Sequence, residues 1–351
     1  MAIFPTSAIP SAAAAGITPS EHFNTVTYTG NGTSQSITGV GFQPDFVWGK
    51  IRSGANSHAL QDVLRGQSKT LFSDAAVAES EYGTNVMSSF DSDGFSVGGY
   101  GLMNGNSATY VAWNWKAGGT GVSNTNGSIT STVSANADAG FSIVSWTGTL
   151  ATGTVGTGLT SDAEFVIVKN RDTTDNWSAS TTVIDGSVDG NYLNGTGAFE
   201  DWSARVDPSA ATSNTIGVYN WADGNGSGNA MIAYCFHSVD GYSKVGSYTG
   251  NGSADGTFVY TSFKPKYILW KYSSRAGEWA IMDSERNTYN EVDTVLIADG
   301  SNTEWDDSVR VFDFLSNGFK LRRSGNDANQ SGQTIIYIAF AETPFKHSNA
   351  R

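Results

Sequence analysis

Short apolar runs separated by turn residues recur along the whole chain. Val26 and Tyr28 alternate with threonine, whereas residues 46–48, 165–168 and 267–270 are nearly continuous apolar runs. Short stretches of this kind, bounded by Gly, Asn and Asp, indicate β-strands, and continuous runs are typical of strands buried on both faces. No stretch keeps a helical apolar period over about 11 residues or more. The pattern predicts an all-β protein.

One pattern occurs three times, at a period of roughly 100 residues. Residues 28–32 and 248–252 both read Tyr-Thr-Gly-Asn-Gly, and residues 146–149 are a looser copy. Each copy leads to a second apolar strand near the end of its segment, namely residues 110–115, 231–236 and 336–341. This period is the size of a small domain rather than of a solenoid unit. We therefore predict three tandem, related β-sandwich domains of the jelly-roll type.

The repeats divide the chain into six predicted segments. They are an extended N-terminal peptide (1–21), repeat 1 (22–119), a linker or edge strand (120–139), repeat 2 (140–241), repeat 3 (242–345) and a short tail (346–351). Prolines favour an extended backbone in the first segment, which suits docking into a groove on a partner protein. The candidate anchoring residues are Ile3, Phe4, Pro5, Ile9 and Pro10. A frayed terminus is the alternative.

Charge and cysteine content exclude several classes of function. The net charge of −13 argues against binding to nucleic acid or to an anionic membrane surface, since both need clustered basic residues. The sequence contains no run of about 20 apolar residues, so we expect no membrane-spanning helix. Cys235 is the single cysteine and lies in an apolar strand, so we expect a buried hydrophobe and no intrachain disulfide.

The acidic residues do not form a repeated pair. A glycosidase needs two carboxyl groups about 5–9.5 Å apart, and a calcium loop needs a longer set of oxygen ligands. Asp next to Gly, Asn or Ser is favoured for local turn bonding instead. Histidines are scattered without metal-ligand spacing. We expect no cofactor, no metal and no enzymatic activity; the densest acidic spots are Asp91 with Asp93, Asp172 with Asp175, and Asp306 with Asp307.

Aromatic residues in polar surroundings are the candidate ligand contacts. Sugar rings stack on Trp and Tyr faces, and loop Asn and Asp side chains orient them by hydrogen bonds. The residues that meet this description are Tyr100, Trp202, Trp221 and Trp305, although packing is the alternative role for each loop tryptophan. Trp113, Trp115, Trp146 and Trp270 lie within strand patterns and are expected in the core.

Four motifs carry a family resemblance. They are Tyr-Thr-Gly-Asn-Gly, Phe-x-Pro-x-Phe-Val-x-x-Lys at 42–50, Asp-Gly-Phe at 93–95 and Val-Ala-Trp-Asn-Trp-Lys at 111–116. Together they resemble a domain repeated in structural proteins of marine tailed bacteriophages, over residues 23–345. Residues 4–10 resemble the start of virion proteins with laminin-G-like or concanavalin-like domains, and the repeats are similar to SPRY-type sandwiches at the level of fold. Repeat 2 lacks the proline and the Asp-Gly-Phe turn.

The resemblance implies a virion structural protein. The expected form is a tail fibre, spike or head fibre, located in the virion, attached to other virion proteins through residues 1–21 and binding host-surface polysaccharide. A fibre of this kind is expected to be a homo-oligomer, with a trimer as the first guess. The alternative is a capsid decoration protein with a mainly structural role. A polysaccharide depolymerase is the third reading, and it requires a carboxylate pair.

Overall fold

The computed structural model describes residues 16–210, 214–325 and 328–343. Repeat 1 follows a 3-10 turn at Pro19–Glu21 and contains β1 (Phe23–Thr29), β2 (Gln35–Thr38), β3 (Phe46–Ile51), β4 (Ala59–Asp62), β5 (Lys69–Thr70), β6 (Ser80–Glu81), β7 (Met87–Asp91), β8 (Gly94–Val97), α1 (Gly101–Asn104) and β9 (Thr109–Trp115). The segment after it contributes β10 (Val122–Asn124) and β11 (Ser131–Asn136).

Repeats 2 and 3 contain the remaining elements. Repeat 2 has β12 (Phe141–Thr147), β13 (Gly153–Gly156), β14 (Phe165–Asn170), β15 (Ser178–Thr181), β16 (Asp189–Tyr192), β17 (Glu200–Asp201), β18 (Val206–Asp207), β19 (Thr215–Val218), α2 (Ala222–Asn225) and β20 (Ala230–Phe236). Repeat 3 has β21 (Ser243–Thr249), β22 (Phe258–Tyr260), β23 (Pro265–Tyr272), β24 (Ala280–Asp283), β25 (Thr294–Ile297), β26 (Trp305–Asp306), β27 (Phe312–Leu315), β28 (Gly318–Leu321) and β29 (Thr334–Ala341). The all-β prediction is confirmed.

The three repeats share one topology. Each has a large antiparallel sheet in the order first, last, third and fourth strand: β1-β9-β3-β4, β12-β20-β14-β15 and β21-β29-β23-β24. Each also has a small three-stranded sheet, namely β2-β8-β7, β13-β19-β18 and β22-β28-β27. The large sheets of repeats 2 and 3 continue into β16-β17 and β25-β26, and β10-β11 extends the opposite edge of repeat 2. Strands pair within their own repeat, apart from this added edge.

Each large sheet buries both of its faces. Side chains alternate between the faces of a strand, so neighbouring residues of β3 enter different cores. Val47 packs with the small sheet inside the sandwich of repeat 1, whereas Phe46 and Trp48 point to the other side. The same division gives repeats 2 and 3 their own sandwich cores. This explains why the central strands are continuous apolar runs.

The outer faces of the three large sheets meet in one aromatic core. Phe46 of repeat 1 stacks on Tyr234 of repeat 2 with ring centroids 4.3 Å apart. Trp113 of repeat 1 meets Tyr267 of repeat 3 at 5.7 Å, and Phe236 of repeat 2 meets Phe340 of repeat 3 at 6.1 Å. The repeats therefore do not depend on separate cores alone, since they share this one. The predicted burial of Cys235 and of four tryptophans is confirmed: Trp113, Trp115, Trp146 and Trp270.

The recurring Tyr-Thr-Gly motif holds loops together inside each repeat. A Cβ on Gly30 would lie 2.3 Å from the carbonyl oxygen of Gly105, so only glycine allows this approach. The side chain of Asn104 accepts the Asn31 N–H at 2.8 Å and fixes the same contact. Gly250 meets the Gln330 carbonyl in the same way. The motif that reveals the repeats is therefore part of the scaffold.

Candidate functional site

Charged residues beside the shared core are used in ion pairs between repeats. Asp62 and Arg65 are fully buried, with Arg65 Nε donating to Asp62 Oδ2 at 2.5 Å. The hydroxyl of Tyr234, from repeat 2, donates to the same oxygen at 2.8 Å. Burial acts to lower the pKa of Arg65, but the charge of Asp62 raises it above its usual value. The guanidinium of Arg65 therefore stays charged, and the ion pair belongs to the scaffold.

A bidentate ion pair lies at each of two junctions. Arg171 of repeat 2 donates two hydrogen bonds to the Glu79 carboxylate of repeat 1, from Nη2 at 2.8 Å and from Nε at 3.0 Å. Arg52 of repeat 1 donates two hydrogen bonds to the Glu304 carboxylate of repeat 3, from Nε and from Nη2, both at 2.9 Å. Burial acts to raise the pKa of Glu79, but hydrogen bonds from Arg171 hold it below the usual value. Two of the three junctions therefore have the same charged design.

The junction between repeats 2 and 3 has uncharged residues at the equivalent positions. Thr181 and Ile184 stand where repeat 1 has Asp62 and Arg65, as the β3–β4 and β14–β15 registers show. The Phe199 N–H donates to the Ser273 carbonyl at 2.9 Å, the counterpart of the bond between the Glu79 N–H and the Arg171 carbonyl. The three junctions thus join the repeats in a closed ring, two of them with a bidentate ion pair and one without.

A buried ring N–H also crosses each junction. His58 Nε2 lies 2.8 Å from the Ile297 carbonyl oxygen, and Trp48 Nε1 donates to His58 Nδ1 at 2.8 Å. In repeats 2 and 3 the corresponding position is a tryptophan, whose Nε1 donates to a carbonyl of the preceding repeat. Burial lowers the pKa of His58 to about 3. The imidazole is therefore neutral and structural.

Three equivalent lysines are buried at the ends of central strands. Lys50, Lys169 and Lys271 each donate from Nζ to a nearby backbone carbonyl. Burial lowers the pKa of each to about 8, so part of the population is neutral in mildly alkaline solution. Because carbonyls hold all three amines, we assign them to loop positioning rather than to nucleophilic chemistry.

The acidic residues singled out by the sequence accept hydrogen bonds from scaffold groups, some within their own turn and some from distant parts of the chain. Asp91 accepts from the Ser89 and Ser96 hydroxyls at 2.7 and 2.6 Å. Asp93 accepts the N–H groups of Gly39 and Gly41. Within residues 16–210, 214–325 and 328–343, no group of three His, Cys, Asp or Glu residues could hold a metal ion.

The four predicted ligand residues do not form one site. Tyr100 is 47% exposed and lies beside Tyr82, with ring centroids 5.3 Å apart. Trp305 is half-buried, and its Nε1 donates to Asp307 Oδ2 at 3.3 Å. The predicted anchoring residues lie outside the described part of the chain: Ile3, Phe4, Pro5, Ile9 and Pro10.

Trp202 and Trp221 are brought together by an arginine. The Arg205 guanidinium lies 4.5 Å from the centroid of the Trp202 ring and 4.2 Å from that of the Trp221 ring. Trp202 is only 2% exposed and also packs against Gly190. This burial argues against a sugar site at Trp202. Trp221 is half-buried and has one face on the arginine.

A pocket with mixed polar and apolar walls and an exposed tyrosine lies on repeat 3. Its volume is about 550 Å³, between the loop of residues 284–292 and the β27–β28 turn. Tyr289 is 80% exposed at its mouth. Asn290 shapes the wall, since its side chain donates to the Phe314 carbonyl and accepts the Phe314 N–H. Thr288, Ser316 and Asn317 line the pocket, and their side chains make no hydrogen bond within the described residues.

This pocket has the chemistry of a polyol site. An aromatic face with free hydroxyl and amide groups can stack on a sugar ring and orient its hydroxyls. No carboxylate is among the described residues that line it, so it has no pair for glycoside hydrolysis. Tyr289 was not among the predicted ligand contacts, although its Asn-Thr-Tyr-Asn setting meets the criterion applied to Tyr100.

Comparison with known proteins identifies the family. No curated protein matches the chain, and no solved structure does either. One family profile, described as a domain of unknown function, matches residues 18–344 and so covers all three repeats in one stretch. That single match agrees with three repeats built around one shared core. The chain belongs to the DUF7483 family.

Proposed function

We propose that this protein is a non-enzymatic structural protein of a virion appendage and that repeat 3 binds host-surface polysaccharide. The appendage is a tail fibre, spike or head fibre, attached to other virion proteins through residues 1–21. The motif resemblance supports the virion assignment. The observation that carries the binding assignment is the pocket with Tyr289 exposed at its mouth.

The pocket supports binding without catalysis. Tyr289 offers a ring for stacking, and the side chains of Ser316 and Asn317 remain available for sugar hydroxyls. A single shallow site of this kind binds weakly. Several copies tethered on one particle convert later contacts into intramolecular ones, and this raises avidity. A homotrimeric fibre would use the site in this way.

Capsid decoration is the second candidate function. It is favoured because the repeated motifs serve the scaffold and the loop that forms the pocket is longer in repeat 3 than in repeat 1. The loop after β24 runs over residues 284–293, whereas the loop after β4 of repeat 1 covers only residues 63–68. A decoration protein would need the rigid three-repeat body and no ligand.

A glycan-binding experiment tests the main proposal. The purified full chain is applied to a glycan array and to polysaccharide from host cells. We expect Tyr289→Ala to weaken binding by up to about tenfold, because an aromatic contact contributes about 0.5–1.5 kcal/mol. Tyr289→Phe keeps the ring and should bind nearly as well as wild type. Tyr100→Ala tests the sequence-predicted residue in parallel.

Two results would redirect the assignment. Absence of binding to every glycan and to cells would favour capsid decoration. Shortened polysaccharide after incubation would favour a depolymerase. Deletion of residues 1–21, followed by measurement of incorporation into particles, tests the anchoring role, and unchanged incorporation would contradict it.

A further inference from the structure

The first strand of repeat 3 has a free edge where the first strand of repeat 2 is covered. In repeat 2, β11 pairs antiparallel with β12, placing Thr132 opposite Ser145 and Ser134 opposite Ile143. Just before β11, Ile129 pairs with Val155 of the small sheet. One extended segment thus closes the open side of the repeat 2 sandwich. Repeat 3 has no such segment among its described residues.

The chain length between repeats explains the difference. Residues 116–140 connect β9 to β12, which is long enough to fold back along the sheet edge. Only residues 237–242 connect β20 to β21, and they form a tight turn in which the Ser243 N–H donates to the Val239 carbonyl. The chain therefore cannot cover the edge of repeat 3 with its own preceding segment.

The backbone of β21 leaves bonding groups available. The Tyr242 carbonyl accepts from the Ala341 N–H, and the Gly250 N–H donates to the Gln333 carbonyl. The backbone N–H and C=O groups of the even-numbered residues of β21 therefore point toward β29. The backbone groups of the odd-numbered residues point toward the open edge. Of these, Val245 donates its N–H to Ser238 Oγ at 3.0 Å. The backbone N–H and C=O of Ser247 have no partner in the described part of the chain.

A groove lies along this edge. It has a volume of about 510 Å³ and is lined by the β21 backbone, by Val183 of repeat 2 and by Phe258 and Tyr260 of β22. Phe258 is 44% exposed and Tyr260 is 63% exposed. A second pocket of about 280 Å³ continues past Tyr260.

The occupied edge of repeat 2 shows what fits there. Ser247 corresponds to Ser145, because each pairs with the equivalent isoleucine of the last strand. Val183 corresponds to Leu64 of repeat 1. The side chain of Leu64 and that of Thr132 in β11 both lie against Gly121, so Leu64 borders the covered edge. In repeat 3 the core beneath the groove is closed by Tyr337, which is buried, where repeat 2 has Ala233. The fold is thus complete before any strand is added.

We propose that the β21 edge of repeat 3 binds an extended segment of a partner polypeptide by strand addition. The segment has the chemistry of β11: serine, threonine and alanine, with a β-branched apolar residue facing the sandwich. Main-chain hydrogen bonds to Ser247 provide the register, and Phe258 and Tyr260 cover the added strand. This proposal does not depend on the glycan site, which lies in a different pocket.

Peptide binding to the full chain tests the proposal. The probe is a synthetic peptide with the sequence of residues 126–137, and the control peptide carries Thr132→Pro, which removes the N–H expected to pair with Ser247. We expect the probe to bind and the control to bind about tenfold more weakly. Ser247→Pro in the protein should weaken binding similarly, because it removes the outward N–H. Ser247→Ala is the matched control, since both variants lose the hydroxyl bond to the Val183 carbonyl.

Amide exchange of the wild-type protein gives a readout that needs no variant. The Ser247 N–H should exchange more slowly by at least about tenfold once the peptide is bound. The proposal is overturned if this N–H gains no protection at saturating peptide, or if Ser247→Pro binds as well as Ser247→Ala. Protection caused by polysaccharide instead of peptide would also overturn it, by assigning the groove to a sugar.

Discussion

Acidification should destabilise this protein through one buried histidine. In the folded state, His58 Nδ1 accepts a hydrogen bond from Trp48 Nε1, and His58 Nε2 donates one to the Ile297 carbonyl oxygen. A proton on Nδ1 would face another donor in a site without water access. Burial, together with the charges of Lys50 and Arg286, therefore lowers the pKa of His58 to about 3.

The magnitude follows from proton linkage. The unfolded chain takes up a proton at His58 near pH 6.5, whereas the folded chain does so only near pH 3. Between these values the unfolded state binds more protons, so stability falls as the pH falls. For a single group the loss is about 2 kcal/mol at pH 5 and about 3 kcal/mol at pH 4, relative to pH 7.

Urea unfolding of wild type and His58→Gln checks this value. Gln can accept from Trp48 and donate to Ile297 without titrating, so it imitates the neutral ring. Asp299, whose pKa burial raises to about 6, acts in the opposite direction but is common to both proteins. We expect wild type to lose about 2 kcal/mol more than the variant between pH 7 and pH 5. Equal losses in the two proteins would refute the reasoning.

Two further predictions concern the scaffold. Asp62→Asn removes the closer of the two carboxylates that pair with the buried Arg65, Glu79 being the other, and should cost about 3–5 kcal/mol in urea unfolding. The double variant Asp62→Thr with Arg65→Ile copies the uncharged junction and should recover most of that loss; a double variant as unstable as the single one would contradict the equivalence of the junctions. Gly30→Ala places a Cβ against the Gly105 carbonyl and should cost more than about 2 kcal/mol. Gly101→Ala, which meets nothing within 4 Å, should change the unfolding free energy by less than about 0.5 kcal/mol, and similar values for both glycine variants would count against the close contact.

Burial of the tryptophans was predictable where they lie in strands. Trp113 and Trp270 belong to continuous apolar runs, and such runs occur where a strand is covered on both faces. The loop tryptophans were harder. Trp202 has polar sequence neighbours, yet it is buried because Gly190 of β16 and the guanidinium of Arg205, three residues further along the chain, cover its ring.

The local pattern of the chain determined the strands, their threefold repetition and the lack of a long helix in the described part of the chain. These depend on side-chain alternation and on turn residues, and both act over a few positions. Only the tertiary structure decided what covers the second face of each large sheet, which is the other two repeats. It also decided that β21 keeps a free edge and that Tyr289 stands over a pocket, because both depend on contacts between residues far apart in sequence.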